Sequence, residues 1–313
     1  ANAADVVSVV NAVGSGGQAA VRVTGTSGGV AFEQPTFFNV TNLVIDLATN
    51  DGGAVADDAT VNVTAAPLGI SNITINGGAG NDVMEVTATP AASFTTNING
   101  DADDDDLSIG GDPLDLDGIF GSIIVNGGTG TDTLVVLDFT SGAADGLITI
   151  TNNVIGGIAV GTISYVNIDN LIVDPTDNFA NNLLIRSLFA GVTLTIFDTS
   201  ALVDTVNIGD AGSLDPIQGL VIINDFGAST PDVVNYNDNA DASNNTYVLS
   251  SGGDLTRNGV LLVNLEDDEF ELVTLNAGTG SDTITVTPST AVTFNVNGNT
   301  PAGVLPGDVL IYD

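Results

Sequence analysis

Aspartates in short glycine-rich turns are the residues of this chain best suited to chemistry. Three turns share one pattern, in which an aspartate lies six residues after an asparagine: INGGAGNDVMEV (75–86), VNGGTGTDTLVV (125–136) and LNAGTGSDTITV (275–286). A fourth turn, NGDADDDDL (99–107), keeps this spacing and crowds five aspartates into one loop. Histidine and cysteine are absent, so a metal site must consist of oxygen ligands, which favour calcium over zinc or iron. The turns therefore predict Ca²⁺ binding.

The distance between turns along the chain predicts where these aspartates lie in space. Asn76, Asn99 and Asn126 open three of the turns and are separated by 23 and 27 residues. If each period forms one coil that stacks at about 4.8 Å on the previous one, the aspartates of successive turns form a column. Like charges at that spacing repel unless a cation lies between them. The predicted metal ligands are Asp82, Asp101, Asp103, Asp105, Asp132 and Asp282.

The same turns have an interpretation that needs no metal. Glycine tolerates positive φ and aspartate hydrogen-bonds to the backbone of its own turn, so these residues also suit a plain turn. The recurring Asn76, Asn99 and Asn126 are predicted to form an amide ladder from coil to coil, because stacked asparagine side chains pair with one another. These asparagines are not expected to be ligands.

Two segments, GGAGNDVME (77–85) and GGTGTDTLV (127–135), match the nonapeptide G-G-x-G-x-D-x-U-x position for position, and AGTGSDTIT (277–285) departs only in its first glycine. The segments resemble the calcium-binding repeats of the repeats-in-toxin family. That resemblance implies that the aspartates and turn carbonyls bind calcium and that Met84, Leu134 and Ile284 fill the core. In that family the copies are contiguous, whereas a full coil separates them here, so its β-roll does not carry over.

The whole chain is predicted to be all-β. Short alternating runs rich in Val, Ile and Thr are bounded by Gly, Asn and Asp, which indicates many short strands. Turn periods of 21 to 27 residues favour a parallel β-solenoid, and the chain resembles bacterial extracellular β-solenoid repeat proteins. Repeated markers divide this single solenoid into segments 1–131, 132–231 and 232–313. Tandem antiparallel β-sandwich domains are the alternative fold.

The first and last strands have related sequences, DVVSVVN (5–11) and DVLIYD (308–313), and neither resembles a polar cap. Either the chain is part of a longer repeat protein, or copies of it join head to tail. Its predicted partners are accordingly neighbouring repeats or further copies of itself. The predicted assembly interface consists of Asp5, Val6, Val7 and Val9 at one end and Asp308, Val309, Leu310 and Ile311 at the other.

Charge excludes several classes of function. Asp and Glu number 39 against three Lys and Arg, a net charge of −36 that repels nucleic acid and anionic lipid. No apolar run approaches the length of a membrane span. Aspartates are plentiful, but the chain has no Lys or His and no long insertion that would form a cleft, so no enzyme is expected. The small residues ANAAD at the start fit a mature N-terminus after signal cleavage, and hence an extracellular protein, although an arbitrary boundary within a longer protein would look the same. Four sequons permit glycosylation without predicting it: Asn39, Asn62, Asn72 and Asn244.

These observations together predict a structural protein. The chain is expected to be a subunit or segment of an extracellular filament or surface layer, stabilised by calcium and joined through its terminal strands. The alternative is a calcium-binding adhesin stalk that presents a binding domain located elsewhere.

Overall fold

The computed structural model describes residues 4–48, 55–110, 115–198, 202–225, 232–266, 270–299 and 307–313. All regular elements in these ranges are strands, which confirms the prediction of an all-β chain. Within the same ranges, no helix is long and apolar enough to cross a membrane.

By internal contacts the chain divides into two compact units. The first unit consists of Ala1–Gly142 and Asn153–Ile172, and the second of Ala143–Asn152 and Val173–Asp313. The division into segments 1–131, 132–231 and 232–313 rests on repeated sequence markers and stays a prediction.

The first twelve strands belong to the first unit: β1 (Asp5–Val13), β2 (Ala19–Ser27), β3 (Val30–Ala31), β4 (Thr36–Phe37), β5 (Asn42–Asp46), β6 (Asp58–Asn62), β7 (Asn72–Ala79), β8 (Val83–Ala88), β9 (Thr95–Ala102), β10 (Asp106–Ile109), β11 (Ser122–Thr129) and β12 (Thr133–Leu137). The next strand, β13 (Leu147–Ile150), belongs to the second unit. The two after it, β14 (Val154–Gly156) and β15 (Ile163–Val166), belong to the first unit.

From β5 to β12, consecutive strands alternate between two sheets. Strands β5, β7, β9, β11 and β15 pair in parallel in one sheet. Strands β1, β6, β8, β10 and β12 pair in parallel in the other. Each strand therefore pairs with a strand from the next period of the sequence, as stacking of the turns predicts. An antiparallel β-sandwich would not show this dominance of parallel pairs.

The first unit does not leave β1 as an open edge. Val6 pairs with Asp58 of β6 on one side and with Thr26 of β2 on the other. Strands β3 and β4 extend this antiparallel layer beyond β2. The prediction that Asp5, Val6, Val7 and Val9 form an uncapped interface is therefore wrong, because both edges of β1 are already hydrogen-bonded. The glycine-rich excursion after β1 supplies the covering strand.

The second unit contains β13 and the later strands; β16 (Asn170–Asp174) begins in the first unit and ends in the second. The others are β17 (Asn182–Ile185), β18 (Thr193–Asp198), β19 (Thr205–Ile208), β20 (Leu220–Asp225), β21 (Val233–Asn237), β22 (Thr246–Leu249), β23 (Leu255–Arg257), β24 (Val260–Glu266), β25 (Leu272–Asn276), β26 (Thr283–Val286), β27 (Thr293–Asn297) and β28 (Val309–Tyr312).

Two sheets rich in parallel pairs also form the second unit. One runs β13–β17–β19–β21–β25–β27, entirely parallel. The other runs β18–β20–β24–β23–β22–β26–β28, where β24, β23 and β22 form an antiparallel meander between parallel pairs.

Alternate residues of the strands build the core. On β7, for example, Ile73 and Ile75 are fully buried while Thr74 between them is partly exposed. Met84, Leu134 and Ile284 are also buried, which is the core position that the resemblance implies for them. Because successive side chains of a strand point to opposite faces, one apolar face of each strand lies in the core. The turns lie at the ends of the strands.

Candidate functional site

The glycine turns of the first unit lie one above another. Asn76 pairs with Asn99 and Asn99 with Asn126 across the parallel strands. Asp82, Asp105 and Asp132 follow at the same position in each turn, immediately before the next strand. All three side chains are about 1 % exposed. The structure thus places these three predicted residues in one buried column.

Each aspartate of the column accepts a main-chain hydrogen bond from the aspartate of the preceding turn. The N–H of Asp82 donates to Oδ1 of Asp105 at 2.8 Å, and the N–H of Asp105 donates to Oδ1 of Asp132 at 3.0 Å. Hydrogen bonds to an ionised acceptor are stronger than those between neutral groups. We call this series the carboxylate ladder; it joins neighbouring turns where their strands begin.

The carboxylate ladder extends beyond the three motif aspartates in both directions. Asp57 accepts from the N–H of Asp5 at 2.6 Å and donates its own N–H to Oδ1 of Asp82 at 2.8 Å. At the other end, Oδ2 of Asp169 accepts from the N–H of Asp132 at 3.0 Å. The sequence analysis missed Asp57 and Asp169, because neither lies in a glycine turn. The only signal was an acid close before an alternating apolar run.

The second unit repeats this arrangement in two shorter series. In one, the N–H of Asp204 donates to Oδ1 of Asp232 at 2.7 Å, and the N–H of Asp232 donates to Glu271 at 2.8 Å. In the other, Asn245 donates to Oδ1 of Asp282 at 2.8 Å, and Asp282 donates to Oδ1 of Asp308 at 2.9 Å. The predicted ligand Asp282 therefore has the same structural role as Asp105.

The first glycine of the motif makes room for the carboxylate. A Cβ atom on Gly100 would lie 2.0 Å from Oδ2 of Asp105 and 2.5 Å from the carbonyl oxygen of Gly127. A Cβ on Gly77 would lie 2.2 Å from Oδ2 of Asp82. The pairing of a glycine with an aspartate five residues later is therefore a packing requirement at these turns. At the matching position before Asp282 the chain has Ala277, and the structure gives no reason for that exception.

Two of the extra aspartates of the fourth turn, Asp101 and Asp103, stand where the neighbouring turns have glycines. Asp101 pairs with Gly78 and Gly128 in the neighbouring strands, and φ is 77° at Asp101, 115° at Gly78 and 111° at Gly128. Asp103 likewise has a φ of 76°. Left-handed backbone strains most side chains, although aspartate adopts it more readily than most residues. Both side chains are exposed, so the turn displays them outward, apart from the buried column.

The predicted amide ladder is confirmed between Asn76 and Asn99, whereas Asn126 has its amide partner in Asn167. Nδ2 of Asn99 donates to Oδ1 of Asn76 at 2.8 Å, and Nδ2 of Asn167 donates to Oδ1 of Asn126 at 2.8 Å. In the second unit Asn276 donates to Asn237 at 3.0 Å. Main-chain pairing, amide side chains and carboxylate side chains therefore all hold successive turns together.

Burial perturbs the protonation of the column. Burial raises the pKa of Asp105 to about 7; the hydrogen bond from the Asp82 N–H opposes this rise, and the charges of Asp82, Asp132 and Asp101 add to it. Burial also raises the pKa of Asp132 and of Asp282. Among the described residues, Oδ2 of Asp105 and Oδ2 of Asp282 are buried without a hydrogen-bond partner.

The residues predicted to bind calcium do not form a ligand set. Across the described ranges, no group of three or more acidic side chains is arranged to hold a metal ion. In the column, Oδ1 of Asp105 and of Asp132 is engaged by a main-chain N–H, and Oδ2 of Asp105 lies against Gly100. The donor set therefore does not fit the calcium site that the resemblance implies, and calcium binding stays a prediction from the sequence.

Arg257 forms a second polar cluster, in the second unit. Its guanidinium makes ion pairs with Asp215 at 2.7 Å, Asp238 at 2.8 Å and Asp241 at 2.5 Å. Tyr247 donates to the same Asp238 at 2.7 Å. The Asp238 side chain is fully buried and that of Arg257 is 11 % exposed. A depression of about 400 Å³ lies beside Arg257, but the guanidinium is already engaged by three carboxylates.

Comparison with known proteins adds no assignment. No protein family, curated protein or solved structure matches this chain.

Proposed function

We propose that this chain is a structural module of an extracellular filament or surface layer, and that its units are β-solenoids. One observation carries the proposal: polar side chains at the turns bind the backbone or side chains of neighbouring turns. The carboxylate ladder and the amide ladder use Asp105, Asp132, Asn99 and their equivalents for cohesion between strands. The aspartates with that role are buried in the scaffold, and the asparagines are partly buried.

The ladders are suited to fixing strand register. A slip of one residue would turn every core side chain to the outer face, so register must be specified in a parallel stack. The hydrogen bond between Asp82 and Asp105 forms only in one register, and the bond between Asn76 and Asn99 specifies the same one. A long stack of short strands can then remain rigid without disulfides, which a chain lacking cysteine cannot form.

Two properties of the composition, the scarcity of basic residues and the high negative charge, support the extracellular location in this proposal. The chain has three arginines and no lysine, so it offers few sites to trypsin-like proteases. A charge of −36 keeps the surface hydrated and discourages nonspecific association, while salt in the medium screens the self-repulsion. Both properties suit a long-lived exposed scaffold.

A stalk that carries a separate binding domain is the second candidate. The observation in its favour is the covered edge of β1, where β2 pairs along the whole strand. For β1 to pair with another copy in head-to-tail growth, β2 would first have to detach from β1. A stalk needs no such pairing.

Sedimentation and negative-stain microscopy of the purified chain, at increasing salt and protein concentration, test the proposal. Rods that lengthen or associate laterally are the expected result for a filament or layer component. Rods that remain single under all conditions would contradict self-assembly and leave the stalk. Compact particles that trypsin and a protease of broad specificity digest rapidly would contradict both forms of the structural role.

A further inference from the structure

The chain contains four sequons of the form N-x-T, at Asn39, Asn62, Asn72 and Asn244, and the proposed structural role requires none of them. N-glycosylation needs access to two groups of a sequon, the asparagine amide that receives the sugar and the threonine hydroxyl that the transferase recognises. The surroundings of these two groups differ among the four sequons, so the fold distinguishes one sequon from the others.

The sequon of Asn72 is engaged by a neighbouring strand. It opens β7, which pairs in parallel with β5 on one side and with β9 on the other. Nδ2 of Asn97 donates to Oδ1 of Asn72 at 2.7 Å and to Oγ1 of Thr74 at 3.3 Å. The amide oxygen and the hydroxyl of this sequon are therefore both used within the sheet.

The sequons of Asn62 and Asn244 each have one group engaged. Oγ1 of Thr64 donates to Oδ1 of Asn11 at 2.9 Å, which fixes the hydroxyl of the Asn62 sequon. Oδ1 of Asn244 accepts the N–H of Ser281 at 2.7 Å. The middle residue of both sequons is buried. A transferase could therefore not bend either segment without pulling a buried side chain out of the fold.

The sequon of Asn39 differs in each of these respects. Asn39, Val40 and Thr41 are all exposed and lie between β4 and β5, outside the strands. Among the described residues, none hydrogen-bonds to the side chain of Asn39 or of Thr41. The main chain is held in place, since the N–H of Asn39 donates to the carbonyl oxygen of Leu68 at 2.6 Å. Both groups that a transferase must reach are therefore available in the folded chain.

Apolar side chains lie next to this asparagine. Val40 is 38 % exposed, and Leu68, whose carbonyl oxygen accepts the Asn39 N–H, is 46 % exposed. A sugar attached to Asn39 would lie beside both residues. It would replace part of their contact with water and add a hydrophilic group to this surface.

We propose that Asn39 is an N-glycosylation site, and that the sugar donor is an oligosaccharide activated as a polyprenyl diphosphate. Nδ2 of Asn39 attacks the anomeric carbon of the first sugar, so that a C–N bond forms and the bond from this carbon to the diphosphate oxygen breaks. The polyprenyl diphosphate leaves, and Nδ2 loses one proton to a base of the transferase. The inference rests on the extracellular location in the proposed function, because transferases of this kind act on secreted chains.

Glycosylation of the folded chain in solution tests the site. The purified chain is incubated with a single-subunit oligosaccharyltransferase that requires only the sequon, together with its lipid-linked oligosaccharide. Intact mass gives the number of glycans, and glycopeptide mapping gives their positions. Four synthetic peptides, each spanning one sequon, show which sequons the enzyme accepts outside the fold. We expect all four peptides to be modified and the folded chain to receive one glycan, at Asn39.

Three variants identify the acceptor. Asn39→Gln and Thr41→Ala should each abolish glycosylation of the folded chain, the second without changing the asparagine. Asn62→Gln, which removes an exposed asparagine of another sequon, is the matched control and should leave the added mass unchanged. A cooperative thermal transition in each variant shows that it is folded.

The outcomes separate this inference from the proposed function. A folded chain that stays unmodified, while the peptide that spans Asn39 is modified, overturns the inference and leaves the structural role intact. Modification of the folded chain mainly at Asn62, Asn72 or Asn244 also overturns it, because the fold would then not select Asn39. Glycosylation at Asn39 of a chain that sediments only as compact, protease-sensitive particles would support the site and contradict the structural role.

Discussion

The main-chain N–H of Asp82 donates a 2.8 Å hydrogen bond to Oδ1 of Asp105, which lies in the next turn of the stack. The donor and the acceptor are both buried, and Asp105 repeats the relationship with Asp132. The aspartate of each glycine turn is therefore an acceptor for the turn before it. This relationship gives the aspartate of each glycine turn a structural role that needs no bound metal.

Substitutions at Asp105 separate its role as acceptor from its charge. Asp105→Asn keeps Oδ1 and removes a charge between Asp82 and Asp132, so at pH 8 the free energy of unfolding should stay the same or rise. Asp105→Ala leaves the buried N–H of Asp82 without an acceptor and should lower it by about 1–3 kcal/mol. Urea denaturation of both variants in EDTA measures the difference. If Asn is as damaging as Ala, the charge is essential and the acceptor role is insufficient.

Stability should depend on pH above the range in which ordinary carboxyl groups titrate. Burial raises the folded-state pKa of Asp105 from 3.8 to about 7, so between these values the folded chain binds more protons than the unfolded chain. Stability is then favoured at low pH and falls as pH rises toward 7. Asp132 and Asp282 shift in the same direction.

Melting temperatures at pH 6 and pH 8 test this dependence, because solvent-exposed carboxyl groups are already ionised at pH 6. The melting temperature should fall between these two values for the unmodified chain and change less for Asp105→Asn. An equal fall in both proteins would assign the effect to groups other than Asp105.

Relief of backbone strain should stabilise the crowded turn. Asp103 has a φ of 76°, a conformation that glycine adopts without the steric cost paid by other residues. Asp103→Gly also removes one charge from an acidic loop, so the free energy of unfolding should rise by about 1 kcal/mol. Denaturation in EDTA and in excess calcium checks this value. A variant that loses stability only in calcium would identify Asp103 as a ligand.

The two arginines of the second unit, Arg186 and Arg257, should differ strongly in what their ion pairs contribute to stability. Arg257→Met leaves the fully buried Asp238 without its cation and should lower stability by about 3–5 kcal/mol. Arg186 forms a pair with Asp210 in which both side chains are substantially exposed, so Arg186→Met should cost less than about 1 kcal/mol. Urea denaturation of the two variants makes the comparison. Similar costs would contradict the structural role assigned to the Arg257 cluster.

The sequence predicted much of this architecture because its signals are local and periodic. The spacing of Asn76, Asn99 and Asn126 was sufficient to predict the parallel stacking, the column of aspartates and the amide bond between Asn76 and Asn99. The role of Asp105 was harder to predict, because a calcium ligand and a hydrogen-bond acceptor require the same carboxylate at the same place. Only the position of the Asp82 N–H distinguishes them.

The covering of β1 could not be predicted from the repeat. The strand sequence resembles that of other periods, and the partner strand β2 lies in a segment without the turn motif. Antiparallel pairing depends on where the chain returns, which periodicity does not determine. Asp57 was missed for a related reason, since its role depends on its neighbour Asp82 across the stack.

Hydrogen exchange of the Asp82 amide tests the central claim most directly. In EDTA, the amide should be strongly protected in the unmodified chain and in Asp105→Asn, and protection should fall in Asp105→Ala while amides in the second unit are unchanged. An Asp82 amide that exchanges freely in EDTA and becomes protected only when calcium is added would contradict the account. The column would then be a metal site.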